Sequence, residues 1–299
     1  MPSYETIPDP KRPVPKICGF DVELANVDPA RRDKGTHAAW SLLRALAHRE
    51  NGIAAGPRAN RAQDAGRVFL PTSGSSPYVD LCHLELAGAE VRGAWDFCAL
   101  FHSLLELARE AAQTVNALRH EDQWIRVHAN NADGHGASWG GHCSFLINRR
   151  TSDRLFLHRA HELAWLASAQ VSSIIFSGAG KVGSENGAPA VGFQLGQRAD
   201  FFECLVAEWT TFRRPLVNSR MEPLASGDSL ARLHCIFHDT CLSHTAIILR
   251  VGFMQLILAM LEAGYLDAPL MTSMTFEDPV PAVRTFSHDP TLSARARLL

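Results

Sequence analysis

Between Ser73 and Glu90 the chain reads SGSSPYVDLCHLELAGAE. Tyr78, Asp80, His83 and Glu85 put a phenol, two carboxylates and an imidazole on a short apolar background. Such a set can hold a hard cation, take a proton, or attack a carbonyl. The stretch reads as a turn followed by a strand, in which alternate residues face the same way. In a regular strand Tyr78, Asp80, Leu84 and Leu86 share one face, with His83 and Glu85 on the other. A bulge or strand end near Cys82 brings Glu85 round to Asp80. The plainer alternative is a half-buried antiparallel strand with its polar residues outward.

Other acids recur in the same pattern. In KICGFDVEL (Lys16–Leu24) Cys18 and Phe20 face a core, and Asp21 and Glu23 project together from the other side. With Asp80, Glu85 and Glu90 these carboxylates suit a hard ion; solvated acids on strand edges are the alternative. His128, His135, His142 and Cys143 have neither the spacing of a zinc finger or ribbon nor an H-E-x-x-H pattern. The loop NNADGHGASWGGH (Asn130–His142) is long and rich in glycine, the kind of loop that carries function. Gly178 to Gly183 fits G-x-G-x-x-G, but the turn-like Ser184–Pro189 follows where a dinucleotide fold needs a helix. The P-loop spacing is also absent.

The elements that position these groups follow from periodicity. Thr36–Glu50 carries Trp40, Leu43, Leu46 and Ala47 at helical spacing. Arg92–His120 reads as a long amphipathic helix with Trp95, Leu100, Phe101, Leu104 and Leu105 inward. Leu157–Ala169 reads as a helix, and Ser243 caps another that ends at Ala263 before Gly264. Gln123–His128, His142–Asn148, Val171–Phe176, Val191–Leu195, Pro215–Ser219 and Leu233–Phe237 read as strands. Ile53–Arg67 reads as a mobile loop. Strands outnumber what strict βαβ alternation allows, which predicts an α+β fold: a curved, mostly antiparallel sheet with helices on one face. The free face can form a concave site. Residues 1–15 are expected to be a disordered leader, and 16–299 one catalytic domain.

Of the 299 residues 46% are hydrophobic and 20% charged, and the net charge is −2. That profile suits a globular protein with a sizeable core and implies no general affinity for nucleic acid or an anionic membrane. The apolar run Val251–Leu261 is broken by Gln255 and is too short to span a bilayer. The polar, Pro-rich N-terminus lacks a signal-peptide core. Seven cysteines (18, 82, 98, 143, 204, 235, 241), without a C-x-x-C pair, suit free thiols in a reducing compartment. The cytoplasm is the expected location.

Several segments together carry a resemblance. GFDVE (19–23), YVDLCHLE (78–85), NNADGHGASWGGH (130–142), FSGAGKVG (176–183) and FQLGQRADFFE (193–203) occur in order. RPLVNSRMEP (214–223), RLHCIFHD (232–239) and LRVGFMQLILAMLE (249–262) follow. They are similar to the Pup ligase and Pup deamidase/depupylase family, which has the glutamine-synthetase-like carboxylate–amine ligase fold. The resemblance implies ATP and Mg²⁺ as cofactors and a Pup-like tag or tagged protein as substrate. It assigns metal binding to Asp21, Tyr78, Glu85, His142 and His234, and nucleotide contacts to Gly19, Glu23, Ala87, Ser144 and Arg232. Asp80 matches the catalytic aspartate. The wording D-x-x-H-x-E, D-G-x-G-A-S and F-Q-L-x-Q-R favours the hydrolase branch over the ligase or a phosphatase-like offshoot. Departures from the family's H-E-N at His142-Cys143-Ser144, and a missing arginine at Ser76-Pro77, motivate a third reading: a non-catalytic binder of a peptide tag. The family's small C-terminal domain is expected to be missing after Leu299.

Overall fold

The computed structural model describes residues 13–31, 35–54, 66–220 and 228–299. The strands among them are β1 (Cys18–Val27), β2 (Ile53–Ala54), β3 (Val68–Phe69), β4 (Tyr78–Asp80), β5 (His83–Ala87), β6 (Arg126–His128), β7 (Gly141–Asn148), β8 (Lys181–Val182), β9 (Phe193–Gln194), β10 (Phe202–Ala207), β11 (Arg214–Asn218) and β12 (Leu230–Cys235). The helices are α1 (Thr36–Arg49), α2 (Ala94–Asn116), α3 (Arg149–Asp153), α4 (Ala160–Ser177), α5 (His244–Ala263), α6 (Ala268–Ser273) and α7 (Pro279–Ser287). Most of the expected leader and of the expected loop (residues 1–12 and 55–65), and the end of RPLVNSRMEP, lie outside the described residues. Of residues 13–15, Val14 is buried, and its N–H donates to Glu262.

The central sheet runs β12-β7-β1-β5-β4, with β6 pairing the far half of β1, and every pairing is antiparallel. Strict alternation along β1 buries Cys18, Phe20, Val22 and Leu24 and leaves Gly19, Asp21 and Glu23 facing the other way. On β7 Cys143, Phe145 and Ile147 join them in the core, as do Leu84 and Leu86 of β5 and Ala231 and Leu233 of β12. Helices α1, α2 and α5 cover this apolar face, and α4 packs on α5 with α6 and α7 beyond it. The predicted α+β sheet with helices on one face is therefore the observed architecture.

Two local expectations fail, and one of two alternatives is decided. The stretch after Ser73 breaks near Cys82, as the second reading of it required: β4 and β5 form a tight hairpin, with Leu81 at its tip at φ +51°, and Glu85 comes round to Asp80. Val171–Phe176 is no strand but the second half of α4. Its Ser168, Ser172 and Ser177 hydroxyls bond to carbonyls one turn back, and Val171 and Ile174 are buried at helical spacing. Tertiary burial there outweighs the strand preference of Val and Ile. Trp95 sits on the outer face of α2 at 75% exposure, and Phe97 points inward in its place. Strand β10, parallel to β11, had no clear alternation to reveal it. Two expectations hold at α5: Ser243 accepts from the Ala246 N–H, and Gly264 closes the helix at φ +67°. By length and apolarity this twenty-residue helix could cross a membrane, because it extends past the run seen in sequence. Here Val251, Met254, Leu258 and Leu261 are in the core, and Glu262 and Arg250 bond back into the protein.

Glu262 ties the N-terminal segment to the sheet. Its buried carboxylate accepts from the backbone N–H of Val14 (2.9 Å) and of Asn148 (2.7 Å) and is paired with Lys16. Removing one member of a buried pair leaves the other charge and two N–H groups without partners. Glu262→Ala is expected to cost about 3–5 kcal/mol in urea unfolding; a loss below about 1 kcal/mol would show that the clamp is incidental.

Candidate active site

The free face of the sheet collects what the apolar face excludes. The hairpin register sets Tyr78 opposite Glu85, and β1 sets Glu23 opposite Glu85 and Asp21 opposite His142. One carboxylate oxygen from each of Glu23, Asp80 and Glu85 lies within 4.8 Å of the other two. From the opposite side come His142 of β7 and His234 of β12, with ring centroids 4.9 Å apart and planes at 76°. Ser144 Oγ lies 3.4 Å from His234 Nδ1. These residues line a cavity of about 620 Å³ together with Arg67, His83, Trp139, Arg214, Arg220 and Arg232. A second cavity of about 270 Å³ adjoins it, lined by Gly19, Ala87, Gly88, Ser144 and Leu146, and Asp21, Arg67 and Arg232 border both.

Charge explains the composition. Burial, then the neighbouring Asp21 and Glu23 carboxylates, push Glu85 well above the usual carboxylate range. Burial also raises Glu23, although the Gly140 N–H donates to it at 2.6 Å. The Tyr78 hydroxyl bonds to Glu85, and burial beside that carboxylate holds the phenol protonated. Burial drives His142 well below its ordinary value, helped by His234 and nearby arginines, and brings His234 down to about 3. Both imidazoles are thus neutral, with a lone pair to offer. Crowded carboxylates, neutral imidazoles and a phenol form a donor set that fits a hard divalent cation, whose charge would offset the repulsion among the acids.

Loops hold the rim through buried polar groups. Asn131 is fully buried: its amide donates to the Trp139 carbonyl and to Thr240 Oγ1, and its Oδ1 accepts from the Thr240 N–H. Asp239 accepts from the N–H groups of Ala179, Gln197 and Arg198, which joins the loops after α4 and β9 to the end of β12. Arg214 clasps Ser138 through its hydroxyl (2.6 Å) and its carbonyl (3.0 Å). A Cβ at Gly140 would lie 2.0 Å from His142 Nε2, so a side chain there would displace that imidazole. The segment Gly178–Gly183 runs into the small β8–β9 hairpin rather than a helix, as its sequence suggested.

All the expected site residues come together. Asp21, Glu23, Tyr78, Asp80, Glu85, His142, His234 and Arg232 border the larger cavity, and Gly19, Ala87 and Ser144 the smaller. Cys143 lies on the core side of β7, so its departure from the family's acid does not touch the site. Sequence reasoning missed Arg67, Trp139, Arg214 and Arg220. Arg67 stands 3.7 Å over the Tyr78 ring and donates to the Ser76 carbonyl, so a guanidinium stands beside this turn although Ser76 and Pro77 carry none. Its position after a polar, glycine-containing stretch offered no periodic signal. Arg214 was visible only as part of a motif.

The chain has relatives over most of its length. The Pup-ligase protein model matches residues 11–299. A depupylase of Acidothermus cellulolyticus is 37% identical over 82% of this chain and 47% of its own. A Pup–protein ligase of Micrococcus luteus is also 37% identical, over 78% of this chain and 50% of its own. The chain spans about half the length of the curated relatives it matches. Among solved structures, the ligase PafA in complex with Pup superposes with a TM-score of 0.72 at 24% identity, over 96% of this chain and 53% of that one. PafA in complex with ADP gives 0.59 at 27% identity, over 78% and 49%. By the extent of the family match and by shared fold, the chain belongs to the Pup-ligase protein family.

Proposed function

We propose that the protein is an ATP- and Mg²⁺-dependent amidohydrolase of the depupylase type. It acts on a side-chain amide or isopeptide bond at a Gln or Glu of a Pup-like tag. The carrying observation is the pair of adjoining cavities: one with four carboxylates and fringed by imidazoles, the other lined by small residues and apolar ones such as Phe20 and Leu146, with Asp21, Arg67 and Arg232 between them. The relative named depupylase and the ADP complex of PafA support the reading. Glu23, Glu85, Asp21, Tyr78, His142 and His234 would hold the metal, and the Gly19–Ala87–Ser144 cavity the nucleotide. Bound there, the magnesium ion would supply positive charge and the nucleotide an organised set of phosphoryl oxygens. Arg67 and Arg232 meet anionic oxygens from the seam between the cavities. Asp80, at the hairpin end beside these acids, takes a proton from water as the water oxygen bonds to the amide carbon. The proton passes to the leaving nitrogen, which departs as ammonia or as a lysine amine. The cytoplasm, whose reducing state suits seven free thiols, is the proposed location.

The ligase reading has its own support in the equal identity to the M. luteus Pup–protein ligase. Product formation strictly dependent on an added amine marks a ligase; amide cleavage without one marks a hydrolase. Asp80→Asn is expected to lower ammonia release from a Gln-terminated tag by about 100- to 10,000-fold. Its affinity for Mg·ATP by calorimetry should stay within about threefold. Undiminished turnover in this variant defeats the mechanism.

Crowded acids also predict a stability effect. Folded Glu85 keeps its proton to higher pH than the unfolded chain, whose ordinary value is near 4.5. Its contribution is therefore fully present below that value and is lost as pH rises through the raised one. In chelator at neutral pH, Glu85→Gln should stabilise the fold by about 1–2 kcal/mol, as relief of functional strain commonly does. The gain should shrink towards pH 4 and vanish at saturating Mg²⁺. A variant less stable than the parent in chelator would contradict the charge argument.

A further inference from the structure

A second cluster of metal-ligating side chains lies on the helical side of the sheet, away from the acidic cavity. Cys98 and His102 are one turn apart on α2, so they share a face. His244 is the first residue of α5, which packs against α2. One ligand atom from each of Cys98, His102 and His244 lies within 4.8 Å of the other two. The two imidazole rings stack with centroids 4.0 Å apart and planes at 12°. His102 Nε2 is shut off from solvent with no hydrogen-bond partner among the described residues, and coordination through that nitrogen would satisfy it. Among the described residues Cys98 Sγ makes a long contact, 3.9 Å, to the His244 carbonyl.

We propose that Cys98, His102 and His244 bind a zinc ion. Thiolate and imidazole are its preferred donors, and no carboxylate belongs to this cluster, so the chemistry differs from that of the acidic centre. A tetrahedral zinc with these ligands needs donor separations of about 3.3–3.6 Å, so the donors must draw in from separations of up to 4.8 Å and the stacked rings must turn until both in-plane lone pairs meet the ion. Binding exchanges the Cys98 thiol proton to solvent for the metal–sulfur bond, and water fills the fourth position. The site would fasten the start of α5 to α2. The segment leading into α5 carries Asp239 and Thr240, which hold the loops at the rim of the active site. A metal at His244 therefore stiffens that support from behind.

Cobalt is the probe, because a thiolate ligand gives it a sulfur-to-metal charge-transfer absorption that carboxylates and imidazoles do not. Titrating the metal-free full chain with Co²⁺ should raise this band to saturation at one equivalent, and Zn²⁺ should abolish it. Cys98→Ser should remove the band. His244→Ala, at an exposed position that leaves the core intact, should weaken Co²⁺ binding by at least about 100-fold. Glu85→Gln, which alters only the acidic centre, should leave the band unchanged. A chain that shows no band, or whose band survives in both Cys98→Ser and His244→Ala, would overturn the assignment.

Discussion

Four carboxylates pushed onto one face of a sheet set the terms for the rest of this molecule. Asp21 and Glu23 have no choice of side, because the residues between them on β1 are needed in the core. Glu85 faces the same way, opposite Glu23, and the hairpin folds Asp80 back beside it. Glu85 is buried and Asp21, Glu23 and Asp80 are half-buried, so water screens these charges only in part and the repulsion is met locally. The protein meets part of it with protons, which Glu85 and Glu23 retain more readily than exposed acids. Four arginines around the same cavity meet another part. The remainder is what a divalent cation held among them would offset, as the proposed function requires.

That arrangement depends on parts that never face the cavity. A face rich in charge cannot be held by apolar packing, so its rim is built from buried hydrogen bonds. Asn131 and Asp239 each satisfy several groups at once, and both sit where loops from distant parts of the sequence meet. Arg198 is almost wholly buried and donates to the Ile236 and His238 carbonyls at the end of β12; burial lowers its basicity to about 9. Asp200 plays a similar part farther out, accepting from the Glu185 N–H, from Gln194 and from His288. Such networks are costly when half made and stiff when complete. They keep rim loops in one place without regular secondary structure.

The sheet was legible because alternation is a strong signal where one face is apolar and the other charged, as on β1 and β7. The site residues were legible for the same reason, once the motifs were taken together. What failed has one physical origin. VSSIIF reads as a strand by propensity, yet it continues a helix whose serines satisfy one another's carbonyls and whose Ile174 is buried. Trp95 looks like a core residue by type, but Phe97 is two positions on and occupies the inward face. The break at Leu81 and Cys82 carries no glycine, proline or asparagine to announce a turn; the hairpin is imposed by pairing across it. Arg67 reaches the site from a segment with no periodicity. Local preference could not report these, because packing partners far along the chain decide them.

Hydrolysis and ligation need the same acyl carbon held beside the same acids, and they differ in the nucleophile that arrives. The feature that discriminates should therefore lie beside Asp80 rather than among the metal-binding side chains. A third cavity, of about 990 Å³, opens there, lined by Leu81, His83, Trp139, Phe212 and Arg213. Its walls mix aromatic surface with a few polar groups, and His83 packs against Trp139 at 5.0 Å. A wall of this kind can admit the stem of a lysine while restricting bulk water, or it can receive the leaving amine of an isopeptide. An incoming lysine and a departing one present the same stem, so one surface can serve either. On the proposed function, the direction of the reaction would rest on which nucleophile that wall favours, together with whether a bound nucleotide phosphate activates the carboxylate or only organises the site.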